Sequence, residues 1–234
     1  MSLPVTRWTI LAQLSVPEQR ASALDALCTQ YWKPVYAFLR GRGSGHEEAE
    51  DLTQGFFEMV VREGWFERAD REAGKLRSFL LGSLENFAAN AHRTRTALKR
   101  GAGVSSVPLH DTAADEELAA LAATCATPEE AFDRAWLATL LQRAVQSLRQ
   151  QYEDAGKGVL FSALLPWLLD ESTESQTEAA ANAGTSVANF RVQLHRLRIR
   201  YRDALQQEIA ATLGESADGA EEMDHLFKVS RGCV

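Results

Sequence analysis

The sequence has few cysteines, no long apolar run and almost no strand pattern. Its three cysteines, Cys28, Cys125 and Cys233, lie far apart without Cys-x-x-Cys spacing, which excludes a disulfide framework and a zinc site. No run of about 18 apolar residues occurs, so no transmembrane helix is predicted. The first residues lack the charged and apolar stretches of a secretory leader, and we expect a cytoplasmic protein with reduced cysteines.

Basic residues are too few for a protein that simply coats nucleic acid. The chain has 25 Lys and Arg against 32 Asp and Glu, for a net charge of -7, whereas such coat proteins are usually basic. With 45% hydrophobic and 24% charged residues, the composition is that of a folded protein. Residues 101–133 hold seven acids and no Lys or Arg, a surplus equal to the whole net charge. Local DNA contacts elsewhere therefore stay open.

Apolar residues recur at helical spacing through most of the chain, which predicts an all-α fold. We expect two small helical domains joined by a flexible acidic linker, the C-terminal domain containing a helix-turn-helix. Long helices are predicted over Glu18–Arg40 and Lys75–Arg100. A capping box of Ser44 and Glu47 is predicted to start the helix between them. Thr127, followed by a proline, is predicted to open another helix.

Changes in composition set the predicted domain limits. The first domain spans residues 1–100, and the linker 101–126 carries a short helix around Glu116–Ala123. The second domain spans 127–212 and is followed by an acidic tail, 213–234. One hypothesis for the tail is autoinhibition, in which its acids, with Leu226 and Phe227, fold back on a basic surface. A frayed, solvated terminus is the alternative.

Residues 175–202 have the spacing of a helix-turn-helix. Ser175 and Glu178 are predicted to form a capping box for a short helix, and Gly184 occupies the turn, where a positive φ is needed. Ser186 is predicted to cap the second helix, which buries Phe190. Five arginines and no acid lie between Ser186 and Arg202.

The outer face of that second helix carries the residue types that contact DNA. Asn, Gln and Arg read base edges, and Arg also neutralises phosphates. A solvated basic helix packed on an acidic partner is the alternative. The candidate contacts are Ser186, Asn189, Arg191, Gln193, His195 and Arg196.

Two further charge clusters lie in the first domain. A basic cluster with interleaved aromatic residues suits unstacked single-stranded bases, although an aromatic such as Phe79 also fits the core and basic residues at a helix end complement its dipole. The basic residues are Lys75, Arg77, Arg93, Arg95, Lys99 and Arg100. The helix before it is acidic, which fits either a solvated face or a surface for a basic protein partner.

Three segments together resemble a sigma factor of the extracytoplasmic-function type in the sigma-70 family. They are EAEDLTQGFFEMV at 48–60, GKLRSFLLGSLENFAANAHR at 74–93, and the helix-turn-helix that ends LHRLRIRYR at 194–202. The resemblance covers most of residues 19–100 and 130–210. It implies a role in bacterial transcription initiation, with core RNA polymerase and promoter DNA as partners and no cofactor or metal.

The resemblance also implies where each partner binds. The first domain would bind the β′ clamp helices of polymerase through Glu48, Glu50, Asp51 and Gln54. The same domain would melt and capture the minus-ten element through Lys75, Arg77, Asn86, Asn90, Arg93 and Arg95, with the turn 66–75 cradling an extruded base. The second domain would dock on the β flap and place Ser186–Arg196 in the major groove of the minus-thirty-five element.

Departures from the family pattern limit how far these roles carry over. Glu85 stands where the family often has Arg or Lys, and Ala179 and Ala183 replace larger aliphatic residues. The segment between Gly156 and Ser175 is longer than usual, and the acidic tail has no counterpart in minimal members. An anti-sigma protein, which commonly holds members of the family inactive, is a further candidate partner.

Two other classes of function compete with this interpretation. An enzyme with a di-iron site would need two Glu-x-x-His motifs, and the chain has one, Glu222 to His225. No phosphate-binding loop or nucleophile elbow occurs, so we expect no enzyme activity. A helix-turn-helix regulator that does not act through polymerase is the second alternative, and the DLTQ helix argues against it.

Overall fold

The computed structural model describes residues 13, 16–63, 76–98, 112–213 and 219–231. Nine helices are present in these ranges and no strand, which confirms the all-α prediction for this part of the chain. The helices are α1 (Pro17–Gly41), α2 (His46–Arg62), α3 (Leu76–Leu98), α4 (Thr112–Ala123), α5 (Pro128–Asp154), α6 (Gly158–Leu168), α7 (Gln176–Asn182), α8 (Val187–Ala210) and α9 (Gly219–Arg231).

The chain divides into two compact units at places that differ from the predicted domain limits. Unit 1 comprises residues 1–139 and 210–234, and unit 2 comprises 140–209. The divisions fall inside α5 and α8. Within the segment predicted as a flexible linker, 112–123 forms helix α4, which packs against α1 and buries Leu118 and Ala122.

The core of unit 1 is aromatic and follows helical periodicity. On α1, Tyr31, Val35 and Phe38 are buried at spacings of three and four residues. The Tyr31 ring stacks on Trp136 of α5 with ring centroids 5.0 Å apart. Gly41 permits the close approach of α1 to the start of α5, because an added Cβ would lie 3.0 Å from the Pro128 Cα.

Helix starts were predicted with mixed success. The Ser44–Glu47 capping box is wrong, because α2 begins at His46 with Gly45 as its N-cap and no side-chain cap. Ser44 lies one residue too early, and its N–H donates to Leu39 O at 3.2 Å. The Thr127 cap is confirmed, since Thr127 Oγ1 accepts from the Glu130 N–H at 3.1 Å.

Unit 2 holds the end of α5, helices α6 and α7, and nearly all of α8. Its core is formed by side chains that are almost fully buried: Leu148, Tyr152, Phe161, Leu164, Ala179, Ala180, Phe190, Leu194 and Leu197. The Trp167 ring meets Phe190 edge-on, with centroids 6.4 Å apart. This core fixes which faces of α8 are exposed.

Candidate nucleic-acid interface

The short helix α7 starts in a complete capping box, as predicted. Ser175 Oγ accepts from the Glu178 N–H at 3.3 Å, and the Ser175 N–H donates to Glu178 Oε2 at 2.9 Å. The Ser175 hydroxyl also donates to the same carboxylate oxygen at 2.7 Å. These bonds from the Ser175 N–H and hydroxyl favour the charged carboxylate and lower the pKa of Glu178.

A Schellman turn joins α7 to α8. Gly184 has φ +64, as its position in the pattern predicts. The Thr185 N–H donates to Ala180 O at 2.9 Å and the Gly184 N–H to Ala181 O at 3.0 Å, which are the two bonds of that motif. Ser186 then caps α8, because its hydroxyl accepts from the Asn189 N–H at 3.2 Å. The chain therefore turns between the two helices through local bonds alone.

Helix α8 presents two polar stripes to solvent. Phe190, Leu194 and Leu197 face the core. On one side of them lie Asn189, Gln193, Arg196 and Arg200, spaced four, three and four residues apart, which we name the Asn189 stripe. On the other side lie Arg191, His195, Arg198 and Arg202 with the same spacing, the Arg191 stripe. Apart from the half-buried Gln193, the residues of both stripes are exposed.

The six predicted duplex contacts thus divide between two sides of α8. Ser186, Asn189, Gln193 and Arg196 belong to the cap and the Asn189 stripe, whereas Arg191 and His195 belong to the Arg191 stripe. Between the stripes, Val192 and Ile199 are each 47% exposed. The most outward part of the helix is therefore apolar and is flanked by polar and basic side chains.

Hydrogen bonds hold several of these side chains in place. Asn189 Nδ2 donates to Thr185 Oγ1 at 2.7 Å, and Gln193 Nε2 donates to Asn189 Oδ1 at 3.4 Å. Arg191 Nε donates to Gln176 Oε1 of α7 at 2.9 Å. These contacts orient the groups before any ligand binds, which lowers the entropy lost on binding.

The Asn189 stripe opens onto a small cleft with a positively charged lining, which we name the basic cleft. Its volume is about 180 Å³, and its lining residues are Gln151, Tyr152, Ala155, Lys157, Gln193, Arg196 and Arg200. Lys157 was not among the predicted contacts, since nothing in the helical periodicity links the turn after α5 to α8. The only local signal was a lysine between two glycines.

An acidic groove lies on unit 1 between α2 and its neighbours. Its volume is about 610 Å³, and its lining residues are Leu39, Arg42, Ser44, Glu47, Glu48, Asp51, Leu52, Ala88 and Ala91. Of the predicted polymerase-binding residues, Glu48 and Asp51 line this groove together. Glu50 instead lies 3.7 Å from the His46 ring, and Gln54 donates to Glu58 at 3.1 Å.

The predicted minus-ten residues do not all lie together. Asn86, Asn90 and Arg93 are exposed along α3, and Asn86 Nδ2 donates to Gly82 O at 3.0 Å. Lys75, Lys99, Arg100 and the turn at 66–75 lie outside the described residues, as does the side chain of Arg95.

Arg77 differs from its predicted role. It is 9% exposed, and its guanidinium donates to Asp133 Oδ1 and to Glu222 Oε1, each at 2.7 Å. Arg77 and Asn86 are nine residues apart, about two and a half helical turns, so they lie on opposite faces of α3. Arg77 instead shares the buried face with Leu80, Leu84 and Ala88.

No family model, curated protein or solved structure matches the chain. The resemblance to sigma factors therefore rests on the sequence segments quoted above and on nothing in these comparisons.

Two features are absent from the described part of the chain. No helix there is long and apolar enough to cross a membrane. In the same ranges, no group of three or more His, Cys, Asp or Glu side chains is arranged to hold a metal ion. His225 of the single Glu-x-x-His motif instead lies 2.9 Å from Asp133 Oδ2.

Proposed function

We propose that this chain is a sigma factor of the extracytoplasmic-function type, which directs bacterial core RNA polymerase to promoters and assists their melting. The observation that carries the proposal is the order α7, Schellman turn and α8, which has the layout of a helix-turn-helix and carries exposed arginines with no acid up to Arg202. The sequence segments that resemble the family add the polymerase-directed role.

Helix α8 has the shape and chemistry for the major groove. The groove admits one α-helix, and recognition helices contact base edges with their N-terminal residues. Asn189, Arg191 and Gln193 are amide and guanidinium groups suited to adenine and guanine edges. Val192 lies between them at 47% exposure, and an apolar group there suits the methyl group of thymine.

The acidic groove is the proposed surface for polymerase. Glu47, Glu48 and Asp51 lie in its lining beside apolar Leu39 and Leu52, a combination that favours a partner with both basic and apolar side chains. Within the sigma-factor proposal, that partner is the pair of β′ clamp helices, and unit 2 docks on the β flap.

Single-strand capture is assigned to the exposed side of α3. Asn86 and Asn90 are four residues apart and share one face, with Arg93 three residues further. Amides can hydrogen-bond to unstacked bases, and a guanidinium can neutralise the phosphate of the displaced strand. Base flipping costs a few kcal/mol, and such contacts offset that cost.

Transcription in vitro with core polymerase and genomic fragments tests the proposal. We expect transcripts that depend on this chain, and co-purification of the chain with core polymerase. The double variant Asp51→Lys with Gln54→Ala should lose core binding, whereas Glu18→Lys, which changes an exposed acid on α1, should keep it. The proposal would be contradicted if every transcript formed equally well without this chain.

The same experiment separates the alternative regulator. A helix-turn-helix protein that acts without polymerase would bind particular duplexes through Asn189 and Arg191 but would not co-purify with core enzyme. Its DNA binding would also be unaffected by the Asp51 and Gln54 changes, while promoter-directed transcripts would be absent.

A further inference from the structure

We propose that the basic cleft is a phosphate-binding site. Three cationic side chains, Lys157, Arg196 and Arg200, line it together with the amides of Gln151 and Gln193, and no carboxylate is among its lining residues. Like charges gathered in one place repel one another. An anion placed among them would relieve that repulsion and would accept hydrogen bonds from guanidinium, ammonium and amide groups.

Local structure holds the cations at the cleft. Gly156 has φ +68, and the Lys157 N–H donates to Tyr152 O at 2.7 Å, so a tight turn ends α5 and carries Lys157 toward the cleft. The Arg200 guanidinium carbon lies 5.6 Å from the centroid of the Tyr152 ring, a cation–π distance. Neither Lys157 nor Arg196 forms an ion pair with any residue that the structure describes.

The size of the cleft selects the ligand. Sites for drug-sized molecules measure about 300–1,000 Å³, whereas this cleft measures about 180 Å³. It therefore suits one phosphate group and not a whole nucleotide or cofactor. A phosphate also matches arginine and lysine together. The planar guanidinium of Arg donates two parallel hydrogen bonds to its oxygens, and the ammonium of Lys attracts it as a point charge.

This site adds to the proposed function. It rests on that function only if the phosphate belongs to DNA. The phosphate is either a phosphodiester of duplex DNA that lies against the Asn189 stripe or a free phosphate-bearing anion. In both cases Arg196 acts as a phosphate contact and not as a reader of base edges. Sequence preference would then depend on Asn189, Arg191 and Val192, and affinity on Lys157, Arg196 and Arg200.

The test uses the full chain with Lys157→Gln, Lys157→Arg and Lys33→Gln. Lys33 is an exposed lysine on α1, so its change removes the same charge in unit 1 and serves as the control. Binding to a random-sequence duplex is followed by fluorescence anisotropy over a range of salt, and binding of inorganic phosphate by calorimetry. Thermal melts by circular dichroism check that each variant is folded.

We expect Lys157→Gln to weaken the binding of DNA, of the free anion or of both. Lys157→Arg should restore that binding, and Lys33→Gln should leave it unchanged. If DNA is the source, Lys157→Gln lowers the magnitude of the slope of log K against log salt by about one, and inorganic phosphate binds no more tightly to wild type than to Lys157→Gln. If a free anion is the source, inorganic phosphate binds to wild type and this binding is lost in Lys157→Gln. If Lys157→Gln matches Lys33→Gln in both measurements, the site is refuted.

Neither measurement contains polymerase, so the proposed function and the phosphate site can fail separately. Loss of polymerase co-purification and promoter-directed transcripts would overturn the sigma-factor role while the Lys157 result stands. Equal binding by the Lys157 and Lys33 variants would overturn the phosphate site while transcription by wild type stands.

Discussion

Arg77 shows how burial decides the role of a charged residue. Burial by itself lowers the pKa of its guanidinium, but the hydrogen bonds and charges of Glu222 and Asp133 outweigh that effect and raise the pKa. Arg77 therefore stays charged and compensates two carboxylates that are themselves buried. Its role in the structure is to hold α3, α5 and α9 together in unit 1.

Replacing Arg77 is expected to destabilise unit 1. Arg77→Met leaves Asp133 and Glu222 buried without their cation, which costs roughly 3–5 kcal/mol. The control is Arg62→Met, because Arg62 pairs with Glu63 in solvent and such pairs contribute about 0–1 kcal/mol. Urea denaturation of both variants measures the difference. Equal stability of the two variants would show that Arg77 has no structural role.

Helix α9 is attached to unit 1 by the contact between Glu222 and Arg77. Its own Leu226 is completely buried, and its Glu222 lies against Arg77 at 1% exposure. Leu226 is buried in unit 1, whereas the tail hypothesis placed it with the acids on a basic surface. Inhibition of DNA binding by the tail stays a prediction, since Arg77 lies on the opposite face of α3 from Asn86 and Asn90.

The Schellman turn between α7 and α8 depends on the backbone of Gly184. An added Cβ would meet no atom within 4 Å, so a cost at this position is purely conformational. Gly184→Ala should destabilise unit 2 by about 1 kcal/mol, because φ +64 is unfavourable for residues with a Cβ.

Gly82→Ala is the matched control, because Gly82 lies inside α3 and its Cβ would also meet nothing within 4 Å. Alanine there should stabilise unit 1 by about 0.5–1 kcal/mol through helix propensity. Thermal melts of the two variants should shift in opposite directions. A shift in the same direction would contradict the role of backbone conformation at Gly184.

The capping box of α7 makes unit 2 sensitive to acid. The pKa of Glu178 is lowered in the folded state by the Ser175 N–H and hydroxyl. Its stabilisation is therefore fully present above the pKa of the unfolded chain and is lost as pH falls through the lower folded-state pKa.

Ser175→Ala should destabilise α7 by about 1 kcal/mol at neutral pH, as expected for a lost N-cap. The difference from wild type should shrink as the pH falls below the unfolded-state pKa of Glu178, because only wild type has the bond from the Ser175 hydroxyl to the charged carboxylate, and that bond weakens on protonation. Chemical denaturation at several pH values measures this difference. A constant difference at all pH values would show that the hydroxyl bond gains nothing from the Glu178 charge.

For the whole molecule, the placement of charge matters more than its sum. The net charge is -7, yet α8 is basic from Arg191 to Arg202 and the acidic groove lies on unit 1. Long-range attraction between the free chain and DNA is therefore expected to be weak, and the proposed contacts with DNA are local.

The isolated chain should bind random duplex DNA weakly at physiological salt and gain specificity only with core polymerase. Anisotropy measurements with and without core enzyme, at matched salt, would test this expectation. The expected change is a large rise in affinity for promoter fragments over random duplex when polymerase is present. Tight, salt-sensitive binding of random duplex by the isolated chain would contradict it.

Sequence periodicity predicted most of the helices because it depends on residues three and four apart. The bounds of α1 and α3, the capping box at Ser175 and the positive φ of Gly184 all follow from such near neighbours. The Ser44 cap failed by one residue, since two adjacent candidates, Ser44 and Gly45, compete for a position that the pattern does not distinguish.

The sequence by itself determined the all-α class, the caps of α7 and α8, and the spacing that puts Asn189 and Arg191 on exposed stripes. Only the tertiary structure decided that Arg77 meets Asp133 and Glu222, which are 56 and 145 residues away in the chain, and that Lys157 lies beside Arg196 and Arg200. The reason is physical. Local hydrogen bonds and helical spacing act between near neighbours, whereas contacts between distant residues are set by how the buried faces of the helices pack.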